Sequence, residues 1–317
     1  MPELKKTREG FGRALVELGK ANPDVVVLVG DLSESTMVSF FAKEFPERFI
    51  QMGVAEQNIM NTAAGLSLVG KIPFLSTYGA FATCRCMDQI RVTVCYSDLN
   101  VKIGGAHGGI SVGPDGATHQ AMEEISMLRA LPRMKVVVPC DFEETRKATH
   151  AAAELWGPVY IRFGRENVPV VTTPETPFVF GKGLPLRDGG DLAIIACGVM
   201  VYEALEAADA LAKRGIEARV INLHTIKPID REIIRQAAAD CGAIVTAEEH
   251  QINGGLGGAV AEVVVRGNPV PMEFVAVDDR FGQSGTPDEL MTAFGLKSRD
   301  IIAAGEKVLK RKTARVF

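Results

Sequence analysis

Glu56 stands in the run Gly53-Val54-Ala55-Glu56-Gln57-Asn58, where a buried-strand pattern (Phe49, Ile50, Met52) gives way to a helical one. Such a turn offers a carboxylate at the rim of a crevice. The helix macrodipole alone would favour an acid there, so its surroundings decide its use. Glu56 to Val69 is apolar, small and nearly free of charge, which predicts a buried helix and a poorly hydrated carboxyl. A carboxyl group taken out of water can hold or share a proton. A second cluster lies in Gly104 to Gln120 (GGAHGGISVGPDGATHQ), where His107 and His119, two of only five histidines, flank Asp115. Two histidines and an acid in one glycine-rich loop are suited to hydrogen-bonding and proton exchange. Their separation is not a metal-ligand spacing.

Apolar runs of strand length alternate with helical patterns from end to end, which predicts an α/β chain of mostly parallel sheets flanked by helices. Helices are expected at Phe11 to Ala21, Phe81 to Ser97 and Phe142 to Trp156, and strands at Val25 to Val29, Ile72 to Ser76, Val101 to Ile103, Val136 to Val138 and Pro158 to Phe163. The stretch 168–186, with Pro169, Pro174, Pro177 and Pro185 and no helical period, reads as a linker. Two domains follow, 1–167 and 187–317. In the second, strands at Leu192 to Ala196, Ala218 to Leu223, Ala243 to Ala247 and Met272 to Val277 alternate with helices at Met200 to Lys213, Asp230 to Ala239 and Leu256 to Arg266. Two C-terminal helices follow. Gly254-Gly255-Leu256-Gly257-Gly258 opens a helix but lacks the dinucleotide fingerprint, so tight turning explains it better than a nucleotide site.

At 317 residues the chain can bury a core in each domain, and 47% apolar against 23% charged residues fits a globular protein. A formal net charge of −4 gives no footprint for nucleic acid. The basic tail Lys307, Lys310, Arg311, Lys312 and Arg315 reads as the charged end of a last helix. With no apolar region in MPELKKTREG and no uncharged run near the ~18 residues a bilayer demands, no membrane partner is expected and a cytoplasmic location is. Cys84, Cys86, Cys95, Cys140, Cys197 and Cys241 read as reduced, mostly buried thiols.

In a parallel sheet, ligands gather beyond the carboxyl ends of the strands. Four segments occupy such ends here: Gly30-Asp31-Leu32-Ser33-Glu34-Ser35, Gly53 to Asn58, Thr77-Tyr78-Gly79-Ala80-Phe81, and Gly105 to Gln120. Their order and approximate spacing, with Asp279-Arg280-Phe281-Gly282-Gln283-Ser284-Gly285 further on, resemble the transketolase family over essentially the whole chain. The resemblance implies a pyrimidine-binding domain followed by the transketolase C-terminal domain. It implies that Glu56 activates thiamin diphosphate by favouring the imino tautomer of its aminopyrimidine ring, that Phe81 stacks on that ring, and that Asp31, Leu32 and Tyr78 line its pocket. His107 and His119 would act on the substrate, His107 at its phosphate and His119 at the reacting carbons, with Asp115 at the hydroxyl beside the donor carbonyl. Arg8, Ser35 and Arg165 match the remaining phosphate-binding positions, a role that the bidentate fork of arginine suits. Cys84 departs from the pattern, at a position often aromatic in the family.

The family holds its diphosphate through Mg2+ with a Gly-Asp-Gly motif, and this chain contains none. Met1-Pro2-Glu3 reads as a native start. The resemblance therefore implies no metal ligands here and a split enzyme: a separate N-terminal transketolase subunit carries the diphosphate and Mg2+ domain, and two copies of each chain form the active heterotetramer. The implied reaction moves a two-carbon ketol unit from a ketose phosphate to an aldose phosphate, as in the pentose phosphate pathway. Deoxyxylulose-phosphate synthase shares the Ala-Glu-Gln run but lacks a histidine at the position of His107. The β subunit of a 2-oxoacid dehydrogenase generally lacks the Asp115 to Gln120 pattern. A non-catalytic partner subunit has no need of Glu56, Phe81, His107, Asp115 and His119 together.

Overall fold

The computed structural model of the chain describes residues 2–313, so Met1 and Arg315 of the readings above lie outside the described residues. The first half runs β1 (Leu4–Lys6), α1 (Thr7–Ala21), β2 (Val25–Val29), α2 (Ser39–Glu44), β3 (Phe49–Gln51), α3 (Glu56–Leu68), β4 (Ile72–Tyr78) and α4 (Gly79–Cys84), then β5 (Lys102–Ala106), α5 (Glu124–Ala130), β6 (Lys135–Val137), α6 (Phe142–Glu154), β7 (Val159–Arg162) and β8 (Asn167–Pro169). The second half runs β9 (Leu184–Arg187), β10 (Leu192–Ala196), α7 (Met200–Ala212), β11 (Ala218–Asn222), β12 (Thr225–Lys227) and α8 (Arg231–Cys241), then β13 (Ile244–Gln251), α9 (Leu256–Val265), β14 (Met272–Val277), α10 (Pro287–Ala293) and α11 (Ser298–Thr313).

Seven strands form one sheet in the order β12-β6-β7-β5-β4-β2-β3, parallel except for β12. Five form the other, β14-β13-β10-β11-β9, parallel except for β9. The composition of β2 explains its central place. Val25, Val27 and Val29 join Phe11, Phe41 and Phe74 on one face, while Val26 and Leu28 join Ile59, Met60 and Ile103 on the other. A strand apolar on both faces has to be sandwiched between helix layers. Three expected strands, β2, β10 and β14, have the bounds read from the sequence: β2 and β10 are uninterrupted apolar runs, and β14 is an apolar run broken only by Glu273.

Three expectations need correction. The helix expected over Phe81 to Ser97 is broken: α4 stops at Cys84, the chain turns at Arg85 and Cys86, and Gln89–Tyr96 winds as a π-helix. Thr83 bonds back to the Gly79 carbonyl at 2.8 Å, and Cys86 N reaches Thr83 O at 3.2 Å; this tight turn resets the helical phase. Nor is α3 buried all round. It covers Glu56, Ile59, Met60, Ala63, Ala64 and Ser67, but Leu68 is 72% exposed.

The proline-rich stretch, finally, is no free linker. β8 pairs antiparallel with β1, and the Asp141 carboxylate, which caps α6, also receives Val171 N, Thr172 N and the Thr172 hydroxyl at 2.5–2.8 Å. Strand β12, missed because it is only three residues long, leaves the second half to pair with β6, and Val138 N bonds to His224 O at 2.7 Å. One apolar cluster runs from Leu28 and Ile103 through Val136 to Ile195 and Ile221, so the two sheets share a core. Among the described residues, no helix is long and apolar enough to cross a membrane.

Candidate active site

Five neighbouring strands, β3, β2, β4, β5 and β7, run parallel and end on one edge of the large sheet. The segments leaving them carry Glu56, Asp31 to Ser35, Tyr78 with Phe81, His107 to His119, and Arg165. Arg8, in the first turn of α1, joins them by donating to Ser35 O at 2.7 Å.

The centre is aromatic. Tyr78 stacks on His107 with centroids 3.9 Å apart, Phe81 lies 5.6 Å from Tyr78, and the His119 ring meets Phe81 edge-on at 5.2 Å. Glu56 opens α3 and is 7% exposed, with its Oε1 receiving Arg85 Nη1 at 2.9 Å. The Arg85 guanidinium also lies 3.8 Å from the Phe81 centroid. The carboxyl expected to be poorly hydrated is thus buried in an ion pair, and Arg85 links it to the aromatic cluster. Cys84 and Arg85 border a cleft of about 560 Å³ with Ala55, Glu56, Gln57 and Asn58. Arg85 was not singled out in the sequence because its place depends on the break after α4; the one signal was its position four residues beyond Phe81.

The other end of the cluster is cationic. Burial, then Arg8, Arg165 and His119, lower the pKa of His107 to about 3, so this imidazole is neutral in the folded chain. Burial and the neighbouring Arg165 lower the pKa of Arg8. Arg165 Nε faces Glu166 Oε1 at 3.5 Å, whereas Arg8 Nε and His107 Nδ1 are buried without a partner, so Arg8 and these polar atoms are what an anion would meet. Arg165 donates to Val112 O at 3.1 Å and to Asp115 Oδ1 at 3.2 Å, so Asp115, expected at a substrate hydroxyl, is engaged by Arg165. His119 Nδ1 lies 2.9 Å from the Thr118 hydroxyl. Asp31 sits further out, exposed and left-handed (φ 59°), with its N–H on Gln51 Oε1; Leu32 is half-buried against the core.

The glycine run of α9 holds an anion of this chain's own. The Glu248 carboxylate receives Leu256 N at 2.7 Å and Gly257 N at 2.8 Å, so the amides a nucleotide phosphate would use are already satisfied.

Residues 4–171 match the family described as transketolase, pyrimidine binding domain, and residues 181–301 match transketolase, C-terminal domain. A Methanocaldococcus jannaschii protein with the provisional name transketolase C-terminal section is 46% identical over 310 residues, covering 97% of this chain and 95% of that protein. The 6-deoxy-6-sulfo-D-fructose transketolase subunit SqwH of a Clostridium species is 41% identical over 308 residues, covering 97% and 96%. A solved split gene transketolase, described as an inactive beta4 tetramer, superposes with a TM-score of 0.92 at 52% identity, covering 97% of this chain and 99% of that one. The chain belongs to the transketolase family and comprises its pyrimidine-binding and C-terminal domains.

Proposed function

We propose that this chain is the C-terminal subunit of a thiamin-diphosphate-dependent transketolase, and that it transfers a two-carbon ketol unit between sugar phosphates only with an N-terminal partner subunit. One observation carries the reading: an aromatic seat with a buried glutamate at one end, and a pocket of Arg8, Arg165 and neutral His107 at the other, meet on one sheet edge. The residues fit the pyrimidine half of the cofactor. Phe81 offers a flat apolar face to a flat ring, and Glu56 Oε1 already accepts a hydrogen bond from a planar cation lying on that face. When bound, thiamin diphosphate supplies an electron sink for the carbon–carbon bond that breaks and reforms.

This chain's residues do the rest. Glu56 would exchange a proton with a nitrogen of that ring. Arg8 and Arg165 would grip the substrate anion, with neutral His107 as a hydrogen-bonding partner beside them, and His119, edge-on to Phe81, would act at the reacting carbons. The diphosphate and its Mg2+ fall to the partner, since no Gly-Asp-Gly motif occurs here. The M. jannaschii C-terminal section and the split gene transketolase, each matched over nearly its whole length, support the division into subunits.

The test combines this chain with a candidate partner, thiamin diphosphate, Mg2+, xylulose 5-phosphate and ribose 5-phosphate. Sedoheptulose phosphate should form and should vanish in Glu56→Ala; full activity in that variant refutes the reading. A parallel arm offers 6-deoxy-6-sulfofructose as donor, because the SqwH relative carries that name and two guanidiniums can bind a sulfonate as they do a phosphate. Transfer from that donor alone would assign a sulfosugar.

A further inference from the structure

The loop that carries His107, Asp115 and His119 is held from the second half of the chain. Gly109, Gly113 and Gly116 all have positive φ (90°, 86° and 74°), and a side chain on each would meet that half: Glu249 at Gly109, Pro287 at Gly113, Ser284 at Gly116. The contact is reciprocal, because a side chain on Gly282 would run into Gln120. Gln120 Nε2, for its part, donates to Ile110 O at 3.0 Å and to Gln283 O at 2.9 Å. These glycines supply left-handed turns and also close approach between the halves.

Glu249 is the most deeply placed of these contacts. It stands on β13, 3% exposed, and its Oε1 receives the Ser111 N–H at 2.5 Å. Its own carbonyl receives Arg162 Nη2 at 2.8 Å, while Arg162 also donates to Ala121 O at 2.9 Å and to Glu124 Oε1 at 2.5 Å. Arg162 thus ties β13 to Ala121, at the far end of the loop, and Glu249 ties it to Ser111, near the start. Asp115 and His119 lie between these anchors, and His107 lies four residues before Ser111.

We infer that the second domain sets the shape of the substrate-gripping loop, and that Glu249 is the positioning residue through which it does so. The inference rests on the transketolase reading for its kinetic consequence but not for its structural one. Glu249 touches no reacting atom; it fixes the backbone that carries Asp115 and His119, so its loss disorders the grip on substrate and leaves Glu56 and Phe81 where they are.

The experiment compares Glu249→Ala and Glu249→Gln in the complex with the partner subunit. Glu249→Ala should raise the KM for the ketose phosphate by about tenfold, the scale of a lost hydrogen bond to a charged group. Thiamin diphosphate affinity should stay within about twofold, a split that general unfolding would not produce. Glu249→Gln keeps an acceptor for Ser111 N–H and should restore most of the loss. Ser284→Leu, an exposed change that wedges Gly116 from outside, should raise KM in the same way with folding intact. Amide hydrogen exchange over residues 109–120 supplies a readout independent of turnover: protection should fall in Glu249→Ala and return in Glu249→Gln. Unchanged exchange and KM in Glu249→Ala and Ser284→Leu would overturn the inference. Absence of ketol transfer by the wild-type complex would refute the transketolase reading, and exchange would still decide the role of Glu249.

Discussion

Arg85 makes two contacts that a cofactor ring would also make, a hydrogen bond to Glu56 and a face-on approach to Phe81. Its side chain is about half-exposed, at 47%, so the ion pair is screened and contributes little. A ring seated on Phe81 therefore displaces a weakly held competitor. Arg85→Met, which keeps the packing and removes the charge, should tighten thiamin diphosphate binding by up to about fivefold, read by calorimetry on the complex; weaker binding would mean that Arg85 supports the bound ring. At this scale the sequence carried much of the arrangement. Tyr78, Phe81, His107, Asp115 and His119 were marked by their places after strand ends, Arg8, Ser35 and Arg165 by the resemblance alone, and all eight lie at this sheet edge. Arg85 and Glu249 were not legible. One depends on a local break in a helix, and the other reaches the loop from a strand more than a hundred residues away.

Among the elements, β12 and the residue before it join the two halves. His224 is buried, stacks on Phe178 of the proline-rich stretch at 4.4 Å, and bonds through Nδ1 to the Thr225 hydroxyl at 2.9 Å. Burial lowers its pKa from 6.5 to about 4. The folded chain therefore keeps His224 neutral where the unfolded chain has already taken up a proton. Its contribution is whole above about pH 6.5 and drains as pH falls toward 4, at about 1.4 kcal/mol per pH unit. Denaturant unfolding between pH 7.5 and 5 should fall less steeply for His224→Gln than for wild type, and parallel curves would contradict this. The same junction marks where pattern reading stopped. β2 and β10 are continuous apolar runs, β14 is one broken only by Glu273, and all three were readable, whereas β1, β8 and β12 are three-residue strands defined by their partners. The π-helix was hidden too, because the turn at Arg85 and Cys86 that precedes it carries no glycine or proline to mark it.

For the molecule as a whole, the central claim is that it holds half of a catalytic site. Its sheet edge gathers an aromatic seat, a buried glutamate and the group Arg8, Arg165 and His107, the loop of Asp115 and His119 is held from the second domain, and its sequence contains no Gly-Asp-Gly motif. Fold class was legible at this scale because buried parallel strands announce themselves, but the sharing of one core by both halves was not, since it depends on which faces meet. The most direct measurement is the rate of sedoheptulose phosphate formation from xylulose 5-phosphate and ribose 5-phosphate, with thiamin diphosphate and Mg2+ present, for this chain alone, its partner alone and the two mixed. The account predicts turnover in the mixture only, saturating as the chains approach equal amounts. Turnover by this chain alone would contradict it.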